Sequence, residues 1–121
     1  MKKMKQPDEI ILHRQSKVLE LVYDDTHYTL PAEYLRVYSP SAEVRGHAPG
    51  QEILQTHKEQ VGIIKLEPSG HYALKIYFDD GHDSGLYTWD YLYQLATDYE
   101  ARWQDYLTRL EQAGYQRQEM P

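Results

Sequence analysis

The sequence contains no cysteine, and that single absence removes disulfides, thiolate zinc sites, cysteine-ligated iron–sulfur clusters and cysteine nucleophiles together. It also leaves the redox compartment unreadable. Phenylalanine is nearly missing, with one residue against twelve tyrosines, so much of the aromatic area available for burial carries a hydroxyl that needs a partner or a wet edge. No apolar run reaches the length of a signal-peptide core or a membrane span. The basic start MKKMK passes directly into QPDEI, and a cytoplasmic protein is expected. Positive charge is not in excess: a net charge of -6 argues against generic nucleic-acid binding, which needs clustered Lys and Arg. Neither a Gly-x-Ser-x-Gly elbow around Ser39, Ser41 or Ser84 nor a phosphate-cradling glycine loop is present.

What remains is a chain of 121 residues, 40% hydrophobic and 26% charged, which predicts one globular domain able to bury a modest core. The domain is expected over residues 8–113, with flexible tails at 1–7 and 115–121. Ile10 to His13 reads as a short strand, Val18 to Tyr23 as a second with Leu19, Leu21 and Tyr23 on one face, and HYTL as a third that stops at Pro31. A short helix follows, with Tyr34, Leu35 and Tyr38 at helical spacing. Residues 39–60 lack a sustained apolar period and read as a binding or mobile loop. VGIIKL and YALKIYF then flank EPSGH as an antiparallel hairpin, with Tyr72, Leu74, Ile76 and Phe78 facing the core. Asp80-Gly81 predicts a type I′ turn, His82 to Tyr87 a returning strand, and Thr88 the cap of one long helix running to Gly114. The fold class expected is α+β: a mainly antiparallel sheet of five or six short strands, a short helix after Pro31, and a long C-terminal helix packed on it.

Candidate chemistry centres on His82. With Asp79, Asp80 and Asp83 it forms a small nitrogen and oxygen cluster, but the spacing matches no calcium loop, and an acidic turn with an exposed histidine explains it more simply. His57-Lys58-Glu59, with His71 or His82 downstream, formally satisfies a two-histidine-one-carboxylate pattern; the chain is too short for the eight-stranded jelly roll that normally carries it. Ser39-Pro40 reads as the cap of a short helical turn. Arg36, Arg45 and His47 are candidates to converge on an anion, with solvation of both arginines as the simpler reading. Trp89 is expected to pack at a junction, and Tyr87, Tyr91 and Tyr93 are candidates for a peptide-binding rim. Asp98–Arg102 and Asp105–Arg109 read as helical ion pairs four residues apart. The stretches LELVYDDTH and LKIYFDDGH echo one another at 19–27 and 74–82, as two similar hairpins would.

The stretches LPAEYLRVYSPSAEVRGH and FDDGHDSGLYTWDYLY resemble a bacterial family of unknown function related to the N-terminal domain of gamma-butyrobetaine hydroxylase, over roughly residues 8–96, as a stand-alone member. The resemblance implies a small α+β unit that in the hydroxylase binds a structural zinc through three Cys and one His. Matched by motif, the Cys-Pro-Cys element falls on Ser39-Pro40-Ser41, the third Cys on Val44 and the His on His82. It therefore implies a degenerate zinc site with no tight metal, in which Ser39 or Ser41 hydrogen-bonds where metal sat and loop 39–47 folds against the turn at 82; weak zinc or iron at His82 and His47 is the alternative. Similar domains fused to P-loop ATPases of the iron–sulfur carrier type imply a protein partner of that kind. The reading preferred is a non-catalytic binding or accessory module, without nucleic-acid or membrane partners, serving iron–sulfur carrier or metal-dependent oxygenase systems. Its expected surface is Arg36, Ser39, Ser41, Arg45, His47, His82 and Asp83. A small metal-binding protein or enzyme centred on His82 is the competing class.

Overall fold

A computed structural model describes residues 6–48 and 50–118. Six strands and four helices follow in the order β1 (Glu9–His13), β2 (Val18–Tyr23), β3 (Thr26–Pro31), α1 (Ala32–Val37), α2 (Ala42–Arg45), β4 (Ile63–Ser69), β5 (Ala73–Phe78), β6 (Leu86–Thr88), α3 (Trp89–Thr97) and α4 (Tyr99–Gln112). The strands form two antiparallel three-stranded sheets, β1-β2-β3 and β4-β5-β6, rather than one. The α+β class expected from sequence is the one observed.

Alternation places Leu19, Leu21 and Tyr23 of β2 in the core together with Leu74, Ile76 and Phe78 of β5, and Tyr34 and Leu35 of α1 lie in the same cluster with Leu92 and Leu95 of α3. Tyrosine hydroxyls buried here donate to backbone carbonyls: Tyr34 to Leu95 (2.7 Å) and Tyr87 to Leu35 (2.6 Å). Each such bond lets a polar atom enter the core without the cost of an orphaned group. Burial raises the Tyr34 and Tyr87 phenols far above the ordinary tyrosine value.

Several local expectations are corrected. Tyr72 is half exposed because it belongs to the Gly70–Tyr72 connection, before the alternation of β5 begins. The turn lies there and not at Pro68, which pairs with Leu74 on an edge strand where a missing N–H is tolerated. The Asp80-Gly81 turn is not type I′. Phe78 N–H donates to His82 O (3.0 Å) and Gly81 N–H to Phe78 O (3.1 Å), enclosing three residues of which only Gly81, at φ 90°, is left-handed. The returning strand is reduced to Leu86–Thr88. The long helix is two helices that break at Asp98 (φ -102°, ψ 17°). Just before the break, the Thr97 hydroxyl bonds back to the carbonyls of Tyr93 (3.0 Å) and Gln94 (3.4 Å), a contact that distorts helices. Thr88 does cap α3, accepting from Tyr91 N–H.

The last described residues, expected from sequence to form a loose tail, bond to the body: Arg117 pairs with Glu33, Tyr115 OH with Glu59, and Gln118 N–H with Glu59 (2.7 Å). Residues 1–5 of the expected N-terminal tail and 119–121 of the C-terminal one lie outside the described residues. Among the described residues no helix is long and apolar enough to cross a membrane.

Candidate functional site

Helix α1 is only six residues long and every one is buried, including Glu33 and Arg36. Charges in such a place need partners. Arg36, read from sequence as a solvated or anion-seeking side chain, instead donates through Nε to Asp80 Oδ2 (2.9 Å) and through Nη1 to Gln55 Oε1 (3.1 Å). Asp80 is shared with Lys58 Nζ (2.9 Å), and its other oxygen accepts the His82 amide (3.2 Å). Burial alone would raise this carboxyl; the bonds from Lys58, the His82 amide and Arg36 reverse that and bring it down to about 2.

His82 follows immediately and is buried at 5% exposure, so the exposed-histidine reading is overturned. The three-residue turn sets its direction: bonding to Phe78 puts His82 on the core-facing side of β5, with its ring 6.1 Å from that of Phe78. Nδ1 lies 3.0 Å from Glu43 Oε2 and Nε2 2.7 Å from Ser39 Oγ. Burial first, and the Arg36 cation second, lower its pKa below the ordinary 6.5 in spite of Glu43. A neutral ring facing a carboxylate must donate from Nδ1, so Nε2 accepts the Ser39 hydroxyl proton. Ser39 Oγ in turn accepts from Ser41 N–H (3.3 Å). Ser41, not Ser39, caps α2, accepting from Glu43 N–H (3.2 Å), and its hydroxyl also meets Ser84 Oγ (2.7 Å).

Loop 39–47 is therefore folded against the turn at His82, through side chains on α2 and its cap. Gly85 permits the approach: a Cβ there would lie 2.4 Å from Ser39 Oγ. Of the seven residues singled out from sequence, Arg36, Ser39, Ser41 and His82 are buried, while Arg45, His47 and Asp83 are exposed. The structure brings Ser39 and His82 together and sends Arg36 to Asp80. Arg45 turns the other way, its guanidinium carbon 4.8 Å from the centre of the Tyr91 ring. Asp80 and Glu43 were not singled out as partners of Arg36 and His82; Glu43 stands inside the SPSAEVR motif, but nothing in its spacing announces a histidine 39 residues away.

A zinc site of the kind the resemblance implies needs four donors in a tetrahedron. The residues present do not fit it. Two hydroxyls already bonded to other side chains and a valine stand at the thiolate positions, and both nitrogens of His82 are engaged. Among the described residues no group of three or more His, Asp or Glu is arranged to hold a metal ion.

A second feature lies on the far side of α2. Arg45, Arg102 and Arg109 line a half-open cavity of about 140 Å³ with Val37, Tyr38 and Tyr91. The two arginines of α4 were read from sequence only as partners of Asp98 and Asp105; no spacing rule places them opposite residue 45.

The family described as gamma-butyrobetaine hydroxylase-like, N-terminal, matches residues 10–93. A protein solved in solution by NMR is 55% identical, with a TM-score of 0.85 over 98% of this chain and 94% of the other. A second NMR structure is 44% identical, with a TM-score of 0.80 over 100% and 93%. A crystal structure from Acidithiobacillus ferrooxidans, of a DUF971 family protein with unknown function, is 35% identical, with a TM-score of 0.63 over 79% of this chain and 98% of the other. No curated protein gives a significant match. The chain belongs to the gamma-butyrobetaine hydroxylase-like N-terminal family.

Proposed function

We infer that this member of the family is a non-catalytic binding module, an accessory to iron–sulfur cluster carrier or metal-dependent oxygenase systems. The observation that supports the reading is the full engagement of His82, whose ring nitrogens meet Glu43 (3.0 Å) and Ser39 (2.7 Å). A general base or a metal ligand needs a nitrogen lone pair facing a substrate or ion. Here the one lone pair of the neutral ring faces a hydroxyl of the same chain, which makes the histidine a fastener between α2 and the β5 turn. The fastener holds a loop whose exposed residues Arg45 and His47, with Asp83 beside the turn, are the part of the expected surface available to a partner.

The test is a pull-down from native lysate with wild type, Arg45→Ala and His82→Ala, joined to metal analysis of protein purified without an affinity tag. The expected result is a carrier ATPase or oxygenase component retained by wild type and lost from Arg45→Ala, with no stoichiometric metal. Identical partners across all three proteins would remove this surface as the binding site. Stoichiometric zinc or iron that disappears in His82→Ala would favour a metal protein centred on His82 instead.

A further inference from the structure

The cavity behind α2 meets the fastener only at Ser39 and is otherwise lined by residues the fastener does not use. Val37, Tyr38 and Leu54 supply apolar wall, and three cations, Arg45, Arg102 and Arg109, face it against one lining carboxylate, Glu52. Tyrosine hydroxyls hold the walls in place by donating to backbone: Tyr38 to Arg102 O (2.7 Å), Tyr91 to Tyr38 O (2.5 Å) and Tyr106 to Gln55 O (2.6 Å). The rings then carry the arginines. Arg102 lies 5.6 Å from the Tyr38 ring centre and 5.9 Å from that of Tyr91, and Arg109 lies 6.0 Å from Tyr38.

These guanidiniums are incompletely used. Among the described residues, Nε of both Arg102 and Arg109 is buried without a hydrogen-bond partner. The helical carboxylates are near but poorly placed: Asp98 Oδ2 is 3.8 Å from Arg102 Nε, and Asp105 Oδ2 is 3.3 Å from Arg109 Nε without hydrogen-bond geometry. A buried N–H left unpaired is costly, and an arginine fork is shaped for a planar or tetrahedral oxyanion.

We propose that this cavity is a binding site for a small organic anion, whose carboxylate or phosphate head is held by Arg102 and Arg109 with Arg45 at the mouth, and whose apolar body lies on Tyr38, Tyr91 and Leu54. A volume of about 140 Å³ suits a body of about one benzene ring. The site shares Arg45 with the partner surface proposed above, but its head-group residues, Arg102 and Arg109, are not part of that surface, so the two proposals can fail separately.

The experiment is an NMR titration of the full chain, following backbone amides and arginine Nε–H signals, with four probes: benzoate, phenyl phosphate, inorganic phosphate and neutral benzamide. Benzoate and phenyl phosphate are expected to shift the Arg102 and Arg109 Nε–H signals saturably, with Kd about 1 mM or tighter. Inorganic phosphate is expected to bind about tenfold more weakly, and benzamide not at all. Tighter binding of benzoate assigns a carboxylic acid, and tighter binding of phenyl phosphate a phosphate ester; both support the site. Arg102→Gln and Arg109→Gln should each weaken benzoate about tenfold. Glu52→Gln, which leaves α4 untouched, should tighten it by removing the opposing charge. Absence of saturable shifts, benzamide binding as well as benzoate, or affinity unmoved by all three substitutions would overturn the proposal.

Discussion

Two hairpins of this chain carry nearly the same words and point their histidines in opposite directions. In LELVYDDTH the loop between β2 and β3 is two residues long: Tyr23 pairs with Thr26, and His27 falls opposite Val22. His27 is exposed, on the outer face with Glu20 and His13, whose side chains it joins through the Glu20 carboxylate. In LKIYFDDGH the loop is three residues long, because Gly81 adopts φ 90° where the first hairpin has Thr26 already in its strand. His82 consequently bonds to Phe78 and shares its inward face. Side chains alternate with period two along a strand, so one extra loop residue is enough to exchange outside for inside. The same Asp-Asp-x-His ending makes a solvated surface cluster in one place and a buried fastener in the other.

The contrast is broken most severely at His82. His82→Ala orphans the Ser39 hydroxyl and leaves a void, and a loss of about 3 kcal/mol is expected in chemical denaturation. Asp80→Asn, which leaves the 7% exposed Arg36 facing a neutral amide, should cost about 2 kcal/mol. Gly81→Ala meets no atom within 4 Å and suffers only the left-handed backbone, so about 1 kcal/mol is expected. His27→Ala removes an exposed contact and should change stability by less than about 0.5 kcal/mol. A larger loss at His27 than at His82 would reverse the comparison.

Acid sharpens it further. The folded state holds His82 neutral, with a pKa below the ordinary 6.5 that applies when the chain unfolds. Below that value the unfolded chain binds the extra proton, so stability is fully present above about 6.5 and falls as pH drops toward the folded pKa. A His82→Gln variant should show a flatter stability profile across this window in denaturation at stepped pH. Asp80 adds a second, lower window between 3.8 and about 2, in which its stabilisation is lost as the carboxylate takes up a proton.

Much of this was legible before the fold was known. Alternation in β2 and β5 and the helical spacing of Leu92 and Leu95 identify core positions directly, and the motif pairing of Ser39 with His82 anticipates their contact. The inward direction of His82 was not legible, because Asp-Gly serves two- and three-residue turns alike and only the register separates them. Nor were the partners of Arg36: Asp80 lies 44 residues on, joined by tertiary packing that no local spacing records. Arg102 and Arg109 follow the pattern of ordinary helical ion pairs, which hid their second role beside Tyr38.

The central claim is that His82 is a neutral ring with both nitrogens engaged inside the protein, and imidazole nitrogen NMR across a pH series measures it directly. The expected result is an Nδ1–H tautomer with Nε2 as acceptor, titrating below 6.5, and unchanged by an equivalent of zinc. An Nε2–H tautomer, titration at or above 6.5, or a zinc-induced change at His82 would contradict it.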